Sequence, residues 1–301
     1  MLETWIIVTI IACFLQNIRS LFQKKLQKEL SNTGSTYTRF GYGFPFVIIY
    51  VFLLSYIYDF AIPTLNFQFI FYCIIGGVSQ IIATYLLLRT FLLLNFAVAN
   101  AYSKTEPIQA VFFGTIILSE QITSIGFIAI VIAVLGVLLI PMGKDISLSI
   151  FKEKIFNFST IIGVLSGTLF GIAGVCFRGA SLSLVHESSL MVSATTLLIA
   201  MTLQFVIFTL YLVYKEPQQI ILSFKNYKYS LIVGISGATA SMCWFYCMAV
   251  QNVAYVRALG QIELLFSFMV SILYLKEKVR LNEIIGICVM LFGIILIVLY
   301  T

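Results

Sequence analysis

Long apolar runs separated by short polar connections recur along the whole chain. A helix needs about 20 apolar residues to cross the roughly 30 Å hydrocarbon core of a bilayer. The runs are of about this length and do not alternate polar with apolar residues, which argues against transmembrane barrel strands. The pattern predicts ten transmembrane helices, at residues 4–20, 40–58, 67–88, 92–118, 124–142, 158–177, 188–214, 229–250, 254–275 and 282–300.

The two halves of the chain repeat each other at a constant offset of 157 residues. At this offset Glu106 matches Glu263 and Gly136 matches Gly293. Each half holds five predicted spans, and an odd number of crossings places the second copy upside down in the membrane. Inverted repeats that face each other near the bilayer midplane are typical of secondary transporters. We therefore predict an all-α membrane protein built around a central cavity, with a first five-helix repeat at residues 1–142, a cytoplasmic linker at 143–157 and an inverted second repeat at 158–301.

Composition agrees with a membrane protein and leaves little room for other classes. The chain has 301 residues, of which 61% are hydrophobic and 10% are charged, whereas soluble domains carry roughly 25% charged residues. The single histidine, His186, and the six cysteines, which all lie in apolar spans, form no metal-ligating cluster. No hydrolase motif and no phosphate-binding glycine loop occurs. We expect no enzyme activity, no metal and no cofactor.

Basic residues indicate the orientation, because Lys and Arg are retained on the cytoplasmic side of a membrane. Even-numbered connections hold only Arg178 and Arg257, both near span ends. We predict that both termini lie outside and that the chain resides in a bacterial plasma membrane. The formal charge of +6 then follows from topology and indicates no nucleic-acid partner. The odd-numbered connections and their flanks hold Arg19, Lys24, Lys25, Lys28, Arg39, Arg89, Lys144, Lys152, Lys154, Lys215, Lys225, Lys228, Lys276, Lys278 and Arg280.

Glu106 and Glu263 are the strongest candidates for a functional site. An ionisable residue at bilayer depth costs roughly 2.5–3.5 kcal/mol, so it faces a cavity or a partner. A twofold axis in the membrane plane would bring the two carboxylates to one cavity. The predicted substrate-binding residues are Asn17, Tyr85, Arg89, Asn100, Lys104, Glu106, Gln109, Trp244, Tyr246, Arg257, Gln261 and Glu263.

Two roles are open for these carboxylates. In the first, Glu106 and Glu263 bind and release protons, which would couple transport to a proton gradient. In the second they are fixed ion pairs, in which Glu106 is held by Lys104 or Arg89 and Glu263 is held by Arg257. Lining a cavity is compatible with both roles.

Proline and glycine predict local features of two spans. Pro107 lies in the middle of the fourth span, where it removes a backbone hydrogen bond and bends the helix. Leu264 occupies the matching place in the ninth span, so a break is expected only in the fourth. In the sixth span Gly163, Gly167 and Gly171 recur every four residues. Such a face of small residues lets a neighbouring helix approach closely.

These features resemble the drug/metabolite transporter superfamily, in particular its ten-span EamA-like family. The matching segments are similar to the family's Glu-Pro, its Leu-Gly-Glu turn and its glycine-bearing last helix. Ser119 and Lys276 replace the glycine of that turn, and the second half lacks the proline. The segments are Glu106-Pro107, Leu118-Ser119-Glu120 and Gly136 in the first half, and Glu263, Leu275-Lys276-Glu277 and Gly293 in the second.

The resemblance implies that the first four helices of each half surround a substrate cavity and that the fifth and tenth helices buttress it. It also implies that small organic solutes cross the membrane by alternating access, and it places Lys104, Glu106, Arg257, Gln261 and Glu263 at the cavity. Two carboxylates and two cations suit a zwitterion or another mixed-charge solute. We therefore expect export of an amino-acid-like metabolite, with uptake as the directional alternative, and a single chain is sufficient to complete the cavity.

Two other classes remain open. A lipid or lipid-linked-sugar flippase would use the same bundle with a cavity that opens sideways towards lipid. A non-transporting membrane receptor or assembly factor would lose function through loop substitutions, while Glu106→Gln and Glu263→Gln would stay silent.

Overall fold

A computed structural model describes residues 3–93, 102–140, 157–273 and 281–300, and within these ranges the chain is helical and has no strands. The predicted all-α class is therefore confirmed for the part of the chain that the structure describes. The α-helices are α1 (Thr4–Leu26), α2 (Asn32–Tyr58), α3 (Phe67–Leu93), α4 (Glu106–Leu118), α5 (Ser124–Leu139), α6 (Phe158–Ser183), α7 (Ser189–Lys215), α8 (Pro217–Lys225), α9 (Tyr227–Val250), α10 (Val253–Leu259), α11 (Glu263–Leu273) and α12 (Leu281–Tyr300).

Within the described ranges, seven helices are long and apolar enough to cross a membrane, namely α1, α2, α3, α6, α7, α9 and α12. They correspond to seven of the ten predicted spans, and the protein is a multi-pass membrane protein. The fourth and fifth predicted spans contain the shorter apolar helices α4 and α5, of 13 and 16 residues. The ninth contains α10 and α11. Residues 143–156 of the predicted linker lie outside the described residues.

Polar residues extend the first two helices beyond the predicted spans. α1 continues past Ser20 to Leu26, and α2 begins at Asn32, well ahead of Phe40. The side chain of Ser31 caps α2, since its Oγ accepts a hydrogen bond from the backbone N–H of Gly34 at 3.1 Å. The predicted spans mark only the apolar part of each helix. The first span therefore stops before α1 ends, and the second starts after α2 begins.

The last helices of the two halves, α5 and α12, pack against each other through glycines. A Cβ on Gly136 would lie 2.7 Å from the carbonyl oxygen of Gly286, and a Cβ on Gly293 would lie 2.8 Å from that of Ala129. The two contacts are equivalent in the repeat, because the 157-residue offset matches Gly136 with Gly293 and Ala129 with Gly286. The offset likewise relates the packing of α1 on α9 to that of α6 on α3. The two halves thus pack as related copies.

The fourth and ninth predicted spans are both interrupted, at matched positions. A turn at Lys104 and Thr105 precedes α4, and the 3-10 turn Gly260–Ile262 precedes α11. The expectation that only the fourth span is broken is therefore wrong. Discontinuous helices at corresponding places in two repeats are a recurrent feature of transporter binding sites.

Different residues make the two breaks. Pro107 stands in the first turn of α4, where a missing N–H leaves no helical hydrogen bond unmade, so it starts a helix and does not bend one. In the second half Gly260 opens the 3-10 turn, and a Cβ there would lie 2.6 Å from the indole ring of Trp244. The ring of Trp244 thus lies against the second break. The absence of a proline in the second half gives no sign of this contact.

The turn after α4 has left-handed backbone at Ser119, with φ 53°. Glycine adopts this conformation with less strain than residues with a Cβ. Ser119 stands where the Leu-Gly-Glu turn of the family that the sequence resembles has its glycine, and its left-handed backbone is one that glycine adopts readily. Its repeat partner Lys276 lies outside the described residues.

Candidate functional site

A buried cavity of about 20 Å³ lies between the two halves. This volume suits about one water molecule, so the conformation is closed to an organic solute. All the charged side chains that line it are buried. They are Arg19, Arg39, Lys104 and Glu106 of the first half, and Arg257 and Glu263 of the second.

Two ion pairs cross this cavity, and each joins one half of the chain to the other. Lys104 Nζ lies 2.5 Å from Glu263 Oε2, and Arg257 Nε lies 2.9 Å from Glu106 Oε1. The two carboxylates occupy matched places in the repeat, whereas the two cations do not. The repeats therefore supply equivalent acids and different bases to one site.

The partners of the glutamates differ from the ion pairs expected within each half. Glu106 is paired with Arg257, in place of Lys104 or Arg89, and Glu263 is paired with Lys104, in place of Arg257. Each glutamate is thus paired with a cation of the opposite half.

Glu263 is the more completely bonded of the two carboxylates. Besides Lys104, its Oε2 accepts a hydrogen bond from Gln16 Nε2 at 2.7 Å. The Oε1 of Gln16 in turn accepts one from Trp244 Nε1 at 3.0 Å. Glu263 is 2% exposed, and this chain of contacts fixes its position between α1, α9 and the turn before α4.

Glu106 is held less tightly. Its 2.9 Å contact with Arg257 Nε lacks the geometry of a hydrogen bond, and its Oε1 has no hydrogen-bond donor among the described residues. Arg257 is shared with other groups: its guanidinium lies 4.7 Å from the ring centre of Trp244 and contacts Met248 Sδ at 3.8 Å. Glu106 Oε1 and the Nε–H of Arg257 therefore remain available for hydrogen bonds. The Glu263 carboxylate, in contrast, already accepts hydrogen bonds from Lys104 and Gln16.

The two helix breaks meet at the cavity. Gln261 Nε2 donates a hydrogen bond of 3.1 Å to the backbone carbonyl of Lys104. Lys104 and Gln261 are themselves a matched pair of the repeat. A contact between matched residues lies on the axis that relates the halves, so the pseudo-twofold axis passes through this site.

The glycine face of α6 packs on the first break, as the packing interpretation predicts. A Cβ on Gly163 would lie 2.7 Å from Tyr102 Cβ, and one on Gly167 would lie 2.6 Å from the carbonyl oxygen of Ser103. A Cβ on Gly171 would lie 3.5 Å from the carbonyl oxygen of Glu106. The three glycines thus allow α6 to support the backbone that carries Lys104 and Glu106.

Five of the twelve predicted site residues line the cavity, and a sixth, Gln261, is buried beside Lys104. The side chains of these five residues converge from the two broken spans and from α9. The five are Lys104, Glu106, Trp244, Arg257 and Glu263.

The other predicted site residues do not line the cavity where the structure describes them. Asn17 is buried in α1, Tyr85, Gln109 and Tyr246 are half-buried, and Arg89 is exposed, with its guanidinium over the ring of Phe158. On α3 the cavity face carries Gln80 and Leu87, two turns apart, so Tyr85 and Arg89 project from other faces. Asn100 lies outside the described residues.

The sequence prediction missed the cavity residues of the first two helices. Gln16, Arg19 and Ser20 of α1 and Arg39 of α2 line the cavity, although the positive-inside count placed both arginines in a cytoplasmic connection. The arginines were assigned to flanks because the predicted spans stop at Ser20 and start at Phe40. One signal was available: Gln16, Arg19 and Ser20 have the i, i+3, i+4 spacing of a single helix face.

A further ion pair joins the halves away from the cavity. Glu120, after α4, pairs with Arg178 of α6, and Arg178 Nη1 donates to the carbonyls of Met248 at 2.8 Å and Gln251 at 2.7 Å. Glu120 thus ties α4 to the ends of α6 and α9. Its repeat partner Glu277 lies outside the described residues.

The related halves, the paired helix breaks and the buried charged cavity define a class of protein: a multi-pass helical membrane transporter. The chain belongs to the EamA-like transporter family, whose family model matches residues 3–142 and 157–299. This confirms the resemblance to the drug/metabolite transporter superfamily. The match also covers each half separately, in agreement with the repeat.

Comparison with other proteins adds support for the fold alone. No curated protein matches the chain. A solved structure described only as "Crystal structure of protein" superimposes with a TM-score of 0.68 and covers 98% of this chain and 96% of its own, at 13% sequence identity. At such a low identity the similarity supports the fold and does not identify the solute.

Proposed function

We propose that the protein is a secondary transporter that moves a small organic solute of mixed charge across the plasma membrane by alternating access. The observation that carries this proposal is the pair of crossed ion pairs, Lys104–Glu263 and Arg257–Glu106, in one buried cavity. In alternating access one half of the protein moves against the other around a central site. Groups that bridge the halves at that site can exchange protein partners for solute groups as the halves separate.

The membrane topology in this proposal has ten spans in two inverted repeats, at residues 1–142 and 158–301, with a cytoplasmic linker at 143–157. Seven long helices support it, and the shorter α4 and α5 and the broken α10–α11 segment fit the remaining three spans. With Arg19 and Arg39 removed from the count, Lys24, Lys25, Lys28 and the other basic connections still favour termini outside. A bacterial plasma membrane fits this arrangement.

The solute in this proposal is amino-acid-like or another mixed-charge metabolite, and the direction is export. The acids and bases of the cavity match a solute that carries both signs of charge. Of the two candidates for proton coupling, Glu106 and Glu263, Glu106 is the better suited, because its contact with Arg257 leaves hydrogen-bonding capacity unused. One chain contains the whole cavity, so a monomer is sufficient for the cycle.

Counterflow in liposomes tests this function. The purified chain is reconstituted, vesicles are loaded with one unlabelled metabolite at a time, and entry of the same labelled compound is followed. We expect transient accumulation with at least one solute that carries both charge signs, and no exchange with lipophilic cations. Strong flux of lipophilic cations without counterflow of any charged metabolite would contradict the proposed solute. Exchange of fluorescent lipids between leaflets, with no metabolite counterflow, would favour a flippase.

A further inference from the structure

The cavity holds more positive than negative charge. Among the residues that the structure describes, four cations and two carboxylates line it, and each of these six residues is at most 8% exposed. Lys104 and Arg257 each have a glutamate partner. Arg19 and Arg39 have none within ion-pair distance among the described residues. A buried charge without a counter-charge is strongly unfavourable. An anion that binds next to these two arginines would therefore stabilise them.

Arg19 and Arg39 also keep unused hydrogen-bond donors. Arg19 Nη2 donates to Ser20 Oγ at 3.3 Å, and Arg39 Nη1 donates to Thr84 Oγ1 at 2.9 Å. The Nε of each arginine is buried and has no acceptor among the described residues. A guanidinium presents five N–H donors in a planar fork that fits a carboxylate or phosphate through two parallel bonds. Among the described residues, the hydroxyl contacts thus leave at least the Nε–H of each arginine without an acceptor.

The two arginines lie side by side although they come from different helices. Both pack on Gly237 of α9, where a Cβ would lie 3.2 Å from Arg19 Cδ and 3.5 Å from Arg39 Cγ. Because both side chains lie within 3.5 Å of this one point, their like charges repel each other. A single oxyanion placed between the two guanidinium groups would satisfy both forks and remove that repulsion.

We propose that Arg19 and Arg39 together bind an oxyanion group of the transported solute, a carboxylate or a phosphate, and that this solute has a net negative charge. The proposal rests on the transport function proposed above and narrows its solute class. Each of the crossed ion pairs, Lys104–Glu263 and Arg257–Glu106, is neutral by itself. The excess positive charge of the cavity therefore lies on Arg19 and Arg39. The present cavity of about 20 Å³ is too small for such a solute, so binding accompanies an opening of the cavity.

Thermal unfolding of the full chain in lipid nanodiscs tests binding directly. The probes are an acidic amino acid (a dicarboxylate that also carries an ammonium group), an aminoalkyl phosphomonoester of similar size, a neutral zwitterionic amino acid and an organic cation, all at the same ionic strength. We expect the dicarboxylate or the phosphomonoester to raise the unfolding midpoint more than the zwitterion and the cation do. The comparison of the two anions identifies which oxyanion is bound. Equal midpoints with all four probes and with sodium chloride alone would overturn the proposal.

Arginine variants assign the binding to this place. We expect Arg19→Gln and Arg39→Gln each to raise the anion concentration needed for half-maximal stabilisation at least about tenfold. Arg39→Lys keeps the charge and loses the planar fork, so it should bind more weakly than the unchanged chain and more tightly than Arg39→Gln. It remains informative if the glutamine variants do not fold. Lys28→Gln, which removes an exposed positive charge outside the cavity, should bind the anion normally. Unchanged anion binding in every Arg19 and Arg39 variant would overturn the proposal.

Counterflow with the same four probes separates this proposal from the transport function. If an anion stabilises the chain through Arg39 but no probe exchanges across liposomes, the oxyanion site stands and the transport function fails. If the zwitterion exchanges and neither anion does, the transport function stands and the oxyanion site fails. If only the cation exchanges, the proposed solute and the oxyanion site both fail. Exchange of an anion that is lost in Arg39→Gln and kept in Lys28→Gln supports both.

Discussion

Replacing Glu263 with glutamine is expected to lower counterflow of the transported solute at least about tenfold. The Glu263 carboxylate lies 2.5 Å from Lys104 Nζ, accepts a hydrogen bond from Gln16 and is 2% exposed. Glutamine keeps the shape of the side chain and removes its charge, so the ammonium of Lys104 stays buried without its counter-charge. That state is costly inside a membrane. Counterflow is measured in liposomes that contain equal amounts of folded protein.

Glu29→Gln is the matched control for this substitution. Glu29 is an exposed glutamate between α1 and α2, and its neutralisation should leave counterflow within experimental error of the unchanged chain. Full activity of Glu263→Gln would contradict a role for the cavity in transport and would favour a receptor or assembly function. Equal loss in both variants would show a general effect of removing one negative charge.

Replacing Gly136 with alanine is expected to lower the free energy of unfolding by about 1–3 kcal/mol, the usual cost of overfilling a packed core. The added Cβ would meet the backbone N of Met290 in α12 and lie 2.7 Å from the carbonyl oxygen of Gly286. Both are backbone atoms, so relief requires α5 and α12 to move apart. Thermal unfolding of the detergent-solubilised protein measures the effect.

Gly114→Ala is the matched control for Gly136→Ala. The nearest described atom to a Cβ on Gly114 is Glu120 Oε2 at 3.5 Å, an ordinary contact. Alanine is also favoured over glycine in a helix by about 1 kcal/mol, so this variant should unfold at the same or a higher temperature. An unfolding midpoint of Gly136→Ala that equals that of Gly114→Ala would show that α5 and α12 do not pack as described.

Much of the fold could be predicted from the sequence, because apolar runs and the constant offset report global features. The long apolar runs located seven of the helices, and the 157-residue offset anticipated the equivalent contacts of Gly136 and Gly293. Hydropathy failed at the ends of α1 and α2, since a helix that lines a cavity remains helical where its sequence becomes polar.

The second helix break could not be predicted from composition. Proline signals the first break, whereas the second depends on how Gly260 meets the ring of Trp244 from another helix. Contacts of this kind depend on tertiary packing, which the local sequence does not contain.

The candidate site was predicted in part. Charge is rare in apolar spans, and this made four residues stand out, namely Glu106, Glu263, Lys104 and Arg257. Their pairing could not be predicted, because it depends on how the two halves pack against each other. Arg39 was counted with the cytoplasmic basic residues because both settings, a membrane flank and a cavity wall, place arginine near the end of an apolar run. Only the packing of α2 on α9 distinguishes the two.

A double-mutant cycle on Lys104 and Glu263 tests most directly whether the halves share one charged chamber. Free energies of unfolding are measured for the unchanged chain, Lys104→Gln, Glu263→Gln and the double variant. We expect a coupling energy of about 0.5–3 kcal/mol, as for residues in direct contact, because removing both charges leaves neither buried alone. Additivity of the two substitutions within about 0.3 kcal/mol would show that the two residues do not meet and would contradict the crossed pairing.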